Sequence, residues 1–193
     1  MVHQTMNTSN ANAVGPCPVV LNAVQQADAL RYPDPNYTAL RTALADFHQV
    51  DESRIVVAGS ASEFIQRLTT CQWRKGCNSY WVPQHAYGDY AHAAQVWDME
   101  LVDDVSRAGL VWLCNPSSPL GQAESTDLLK VVEDHPDVVA VLDCAYEPLC
   151  LDEQARATVQ QRDHLWQLWS PNKALGMTGV RGAYAIAPMG ESR

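Results

Sequence analysis

Val138-Val139-Ala140-Val141-Leu142-Asp143 is a short apolar run that ends in a carboxylate. Runs of this length and composition are typical of strands buried within a sheet. Similar runs recur along the chain and alternate with longer amphipathic stretches. That order indicates βα units stacked into a largely parallel sheet, so we predict an α/β protein.

The periodicity also predicts where the individual elements lie. Helices are expected at 38–47, 61–70, 87–96 and 125–133, with Ser125 as the N-cap of the last. Strands are expected at 54–58, 80–82, 99–102, 110–114, 138–143, 165–169 and 182–187. In the first helix one face would carry the apolar residues Leu40, Ala43, Leu44 and Phe47. No repeat or Pro/Gly/Ser-rich linker divides the chain, which favours one domain.

Composition excludes several classes of partner. The 193 residues are 47% apolar and 18% charged, which is ordinary for a globular domain. A formal net charge of −9 argues against a nucleic-acid or anionic membrane surface. No apolar run approaches the roughly 20 residues of a membrane span, and the N-terminus lacks the pattern of a secretory signal, so a cytoplasmic location is predicted.

The six cysteines do not form a metal-binding pattern. They make no Cys-x-x-Cys pair, and none stands at helical spacing from a histidine. We therefore predict reduced thiols and no metal site.

Near the end of the chain, Ser170-Pro171-Asn172-Lys173 is followed eight residues later by Arg181. A lysine amine can form an imine with an aldehyde, while a hydroxyl and a guanidinium can hold a phosphate. This combination suits pyridoxal 5'-phosphate (PLP) as cofactor, with Lys173 carrying it and Ser170 and Arg181 binding its phosphate. The alternative interpretation is a solvated loop lysine.

Two further segments fit the same cofactor. Asp143, at the end of a buried strand, would lie where ligands bind in α/β sheets and would pair with the protonated pyridine nitrogen. The alternative is an N-cap aspartate. Gly59, Ser60 and Ala61 lie between a predicted strand and a predicted helix, where the first N–H groups of the helix would face a phosphate.

Four motifs, in order, resemble the fold-type I aminotransferases. They are Asn10-Ala11-Asn12-Ala13-Val14-Gly15-Pro16, Arg31-Tyr32-Pro33-Asp34, the loop 115–121 (NPSSPLG), and Val141-Leu142-Asp143-Cys144-Ala145-Tyr146. The resemblance is closest to the branch of histidinol-phosphate aminotransferase and threonine-phosphate decarboxylase. It implies a three-layer large domain at 31–193 after an N-terminal arm at 1–30, with an incomplete C-terminal part and no small domain. The chain departs from the family at Cys144, where glutamate is usual, and at Asn172, where serine is common.

The resemblance assigns four more site residues. Tyr146 and Asn115 would bond the cofactor's phenolic oxygen, and Tyr87 would stack on its ring. Tyr32 would reach the phosphate from the other subunit of a homodimer. Tyr90, one turn beyond Tyr87, is predicted to be a packing residue.

The activity that the resemblance implies is transamination between an amino acid or amino phosphate and a 2-oxo acid. A PLP lyase of the threonine-phosphate decarboxylase type is the alternative, because the same cofactor residues serve both reactions. A truncated remnant that binds PLP without turnover is a third hypothesis, and a separate chain could supply the missing C-terminal domain. A Rossmann-type nucleotide binder is disfavoured because no G-x-G-x-x-G follows the first strand.

Overall fold

The computed structural model describes residues 12, 14–118, 120–122, 130, 134–135, 137–151 and 158–190. Its α-helices in these ranges are α1 Pro18–Gln25, α2 Thr38–His48, α3 Ala61–Arg74, α4 Gly88–Gln95 and α5 Val159–Asp163. Its strands are β1 Ile55–Ala58, β2 Ser79–Trp81, β3 Glu100–Leu101, β4 Leu110–Cys114, β5 Val139–Asp143, β6 Trp166–Trp169 and β7 Ala183–Ile186. Apart from residue 130, the predicted helix 125–133 lies outside the described residues.

The described strands form one seven-stranded sheet in the order β1-β7-β6-β5-β4-β2-β3. Strands β6, β5, β4, β2 and β3 pair in parallel, whereas β7 is antiparallel to both β6 and β1. In the register, Cys114 lies opposite Asp143, and Asp143 lies opposite Leu168. The carboxyl ends of β4, β5 and β6 therefore reach the same edge of the sheet.

Side chains on the two faces of the sheet enter two separate cores. Along β4, Val111 and Leu113 enter the core that contains Ala45 of α2, whereas Leu110 and Trp112 enter the other. The second core includes residues of α3 and α4, among them Phe64, Ile65, Leu68, Tyr90, Ala93 and Ala94. Helices thus cover both faces, which confirms the predicted three-layer α/β architecture.

Helix α3 begins and continues as its sequence dictates. Ser60 is its N-cap and accepts a hydrogen bond from the backbone N–H of Glu63 at 3.1 Å. Phe64, Ile65 and Leu68 recur at helical spacing and are buried. The helix runs to Arg74, one turn beyond the predicted end, because the residues after Thr70 include no helix breaker before Gly76.

Helix α2 presents a different face from the one that its apolar residues predict. Ala45 is buried and Leu44 packs against the core. Leu40 and Phe47, in contrast, are 46% and 78% exposed. The described part of the chain therefore buries only some of the apolar residues of α2 and leaves the others exposed.

Helix α1 was not predicted from the sequence. Proline occupies its first position, where no hydrogen-bond donor is needed, and none of its residues is buried. A helix that buries nothing leaves only a weak periodic signal. None of the helices in the described ranges is both long and apolar enough to cross a bilayer.

Candidate active site

A cavity of about 260 Å³ opens at the carboxyl edge of the central strands. Asp143 is the last residue of β5, and Ser170 directly follows β6. Eight of the eleven predicted site residues line the cavity: Ser60, Ala61, Tyr87, Asp143, Tyr146, Ser170, Lys173 and Arg181. The fold thus brings together residues that lie more than 100 positions apart in the sequence.

Asp143 is buried at the carboxyl end of β5, with 5% of its surface exposed. Its Oδ2 accepts a hydrogen bond from the Tyr90 hydroxyl at 2.6 Å, and its Oδ1 accepts one from the Ala145 N–H at 2.9 Å. Burial raises the pKa of the Asp143 carboxyl, although these two donors and the charge of Lys173 oppose that rise. The one backbone hydrogen bond described for this carboxylate comes from Ala145, and Asp143 is the N-cap of none of the described helices, so the N-cap interpretation is wrong.

Lys173 lies in the turn that follows β6. Its backbone N–H donates to the Ser170 carbonyl at 3.3 Å. Its Nζ lies 5.9 Å from the centre of the Tyr146 ring. Half-buried at the cavity wall, this amine is placed differently from a solvated loop lysine.

The cavity lining also includes serine hydroxyls, the start of a helix and a guanidinium. The first N–H groups of α3, at Ala61 and Ser62, have no acceptor within the helix. Arg181 lines the same cavity, and no carboxylate in the described ranges forms an ion pair with it. These donors together can hold an anion.

Tyr87 is the N-cap residue of α4, and 44% of its surface is exposed. Its ring meets the edge of Tyr90 at 5.6 Å between ring centres. Its hydroxyl lies 3.4 Å from Oγ of Ser62, which donates to Asp89 at 2.5 Å. Burial raises the pKa of the Tyr87 hydroxyl. The partly exposed ring can contact a planar ligand, while its hydroxyl contacts Ser62.

Three predicted residues do not line the cavity. Gly59 borders the neighbouring cavity, and its N–H is taken by the Glu63 carboxylate at 3.2 Å. Asn115 is buried beside the site and donates its backbone N–H to the Asp143 carbonyl at 3.1 Å. Tyr32 is fully exposed, so a role for it requires a second subunit.

Several cavity residues were missed by sequence reasoning. Cys114, Ser118, Ala145, Asn172 and Gly182 line the cavity as well. Tyr90 is the most informative of those missed, because it does more than pack: it bonds Asp143 directly. The available signal was its position one turn after Tyr87, on the face of α4 that points to the sheet.

The fold matches that of the large domain of PLP-dependent transferases. A structure of histidinol-phosphate aminotransferase from Sinorhizobium meliloti, in complex with pyridoxal-5'-phosphate, superposes with a TM-score of 0.80 at 21% identity and covers 93% of this chain and 55% of that one. L-threonine-O-3-phosphate decarboxylase from Porphyromonas gingivalis superposes with a TM-score of 0.79 at 24% identity, over 93% of this chain and 61% of that one. At these identities the likeness concerns the fold.

Sequence comparison gives the family. The model for aminotransferase class I and II matches residues 5–189. Histidinol-phosphate aminotransferase from Macrococcus caseolyticus is 32% identical over 92% of this chain and 57% of its own length. The enzyme of the same name from Hyphomonas neptunium is 31% identical over 96% of this chain and 57% of its own length. The chain belongs to the class I and II aminotransferase family, and it spans a little over half the length of these curated relatives.

Proposed function

We propose that the protein is a PLP-dependent aminotransferase of the histidinol-phosphate type. The observation that carries the proposal is the shared cavity: the Lys173 amine, the buried Asp143 carboxylate and the Arg181 guanidinium all border it. Family membership supports the same reaction class. The relatives with the highest identity described above bear the name histidinol-phosphate aminotransferase, which favours that substrate type.

The side chains fit PLP in both charge and hydrogen bonding. A phosphate needs donors, which Ser60, Ser170, Arg181 and the start of α3 provide among the residues that line the cavity. A pyridinium needs a buried anion, which Asp143 provides. An aldehyde needs a primary amine, which Lys173 provides.

Each residue has a task that its position permits. PLP, when bound, supplies an electron sink for the pair of electrons left on the substrate α-carbon. Lys173 would hold PLP through its amine and, once that amine is free, would be the base for the proton on the substrate α-carbon and, as an ammonium, the acid that returns it. Asp143 would hold the ring nitrogen in its protonated form, and Tyr146 would donate its hydroxyl to the phenolic oxygen. Tyr87 would limit movement of the ring.

The proposal includes partners. The substrates would be an amino donor and a 2-oxo acid acceptor, and the enzyme would act as a cytoplasmic homodimer with Tyr32 reaching the neighbouring site. A separate chain that supplies a C-terminal domain would be compatible with the same arrangement. A lyase of the threonine-phosphate decarboxylase type and a non-catalytic PLP-binding chain are the competing hypotheses.

Single-turnover assays of the PLP-loaded protein distinguish these three functions. L-histidinol phosphate or an amino acid should lose its amino group to the cofactor and leave as a carbonyl compound, without release of carbon dioxide. Carbon dioxide released from L-threonine phosphate would favour the lyase instead. Binding of PLP without either reaction would favour the non-catalytic chain. The Lys173→Ala variant is the control, because it keeps the phosphate-binding residues and lacks the base.

A further inference from the structure

Tyr90 is held rigidly at the inner wall of the active site. Its side chain is completely buried, and its ring stacks on Trp112 of β4 with ring centres 4.9 Å apart and planes 4° from parallel. Tyr87 packs against its edge at 5.6 Å. The tyrosine therefore has one rotamer available, and its hydroxyl is directed at Asp143.

The hydroxyl completes the orientation of the Asp143 carboxylate. It donates to Oδ2 at 2.6 Å, while the Ala145 N–H donates to Oδ1 at 2.9 Å. With each oxygen fixed by one donor, the carboxylate cannot rotate, and its remaining lone pairs are available to the cavity that it lines. Other ionisable groups that interact with Asp143 are Lys173 and the adjacent Cys144, and the Cys114 thiol neighbours the Tyr90 hydroxyl.

We propose that Tyr90 is a positioning residue, which holds Asp143 as an oriented carboxylate for the ring nitrogen of the cofactor. The inference rests on the proposed function, since it concerns the ring that Asp143 would meet. A hydrogen-bond donor on a buried carboxylate makes that carboxylate a weaker base. A proton shared between Asp143 and the ring nitrogen would then stay on the nitrogen, where the electron sink needs it.

The first test uses the protein without cofactor. Carboxyl ¹³C NMR, with Asp143→Asn for assignment, would follow the titration of Asp143 in the wild type, in Tyr90→Phe and in Tyr80→Phe. Tyr80 is the matched control, because it is a buried tyrosine of the same core, whereas the hydrogen bonds described for the Asp143 carboxylate come from Tyr90 and Ala145. Tyr90→Phe should raise the pKa of Asp143, and Tyr80→Phe should leave it unchanged.

A second perturbation works in the opposite direction and preserves every ring. Protein labelled with 3-fluorotyrosine has more acidic, stronger phenol donors, so the pKa of Asp143 should fall. An Asp143 titration that is the same in all forms would overturn the inference, whether or not PLP binds.

The test with cofactor separates this inference from the proposed function. In protein loaded with PLP labelled with ¹⁵N in the ring, the wild type and Tyr80→Phe should give a protonated-ring signal. Tyr90→Phe should shift that signal towards neutral pyridine, and an unchanged signal would count against the inference. Failure of the wild type to bind PLP would contradict the proposed function alone, and the cofactor-free titration would still decide the role of Tyr90.

Discussion

The segment that carries Asp143 and Tyr146 is tied to the rest of the fold by a buried ion pair. Arg162 of α5 donates to Oε1 of Glu147 at 2.7 Å, and only 16% and 11% of these side chains are exposed. The guanidinium also lies 5.8 Å from the centre of the Trp169 ring. We expect Glu147→Leu to remove the carboxylate that pairs with this buried guanidinium.

The magnitude follows from that burial. Removing one partner of a buried ion pair costs about 3–5 kcal/mol. Because both side chains retain some exposure, we expect the lower end, about 3 kcal/mol, a large part of the stability of a typical domain. The control is Asp103→Asn in the pair Arg107–Asp103, whose side chains are 63% and 91% exposed, and it should have no measurable effect.

Urea unfolding, followed by circular dichroism, measures these differences in the free energy of unfolding. A double variant, Glu147→Leu with Arg162→Met, should recover much of the loss, because it leaves no isolated charge and keeps an apolar stem against Trp169. A single variant as stable as the wild type, or a double variant that recovers nothing, would refute the reasoning.

The other predictions concern the site and its surroundings. Arg181→Ala should raise the PLP dissociation constant about tenfold, which corresponds to the lower value for a hydrogen bond to a charged group, because Arg181 is exposed. Fluorescence titration measures this constant, and an unchanged value would contradict the prediction. Asp143→Asn should still bind PLP but lose most turnover, and a fully active variant in the single-turnover assay would mean that another group holds the ring nitrogen. Burial, reinforced by Arg162, keeps the pKa of His48 below its ordinary value of 6.5, so the wild type should lose stability as pH falls below 6.5 towards that lower pKa. His48→Gln should lose this part of the pH dependence in urea unfolding at about pH 7.5 and about pH 5, and an identical dependence in both proteins would argue against the assignment.

The central strands could be predicted because buried strands appear in the sequence as short runs of apolar residues. Strand β4 coincides with the predicted 110–114, and β5 begins one residue after its predicted start. Strand β3 is shorter than predicted and has both of its residues exposed at the sheet edge, where periodicity is weak. The antiparallel direction of β7 has no local signal, since strand direction depends on the connections and not on side-chain alternation.

Some residues of the candidate site could likewise be predicted from the sequence, and others could not. Lys173, Ser170 and Arg181 could be proposed from residue type and spacing, and the structure places all three at one cavity. The Tyr90–Asp143 hydrogen bond could not be predicted from the sequence. It joins residues 53 positions apart, whose side chains meet only after α4 packs on the sheet. Tyr32 stays a prediction, since its role depends on a second subunit.

The central claim is that Lys173 carries PLP in a site built by this chain. The most direct measurement is titration of the purified protein with PLP, followed by borohydride reduction and mass mapping of the labelled peptide. The chain contains three lysines, Lys75, Lys130 and Lys173, so the assignment is unambiguous. We predict stoichiometric labelling at Lys173, abolished in Lys173→Ala and unchanged in Lys75→Ala. Labelling spread over the three lysines, or none at all, would contradict the claim.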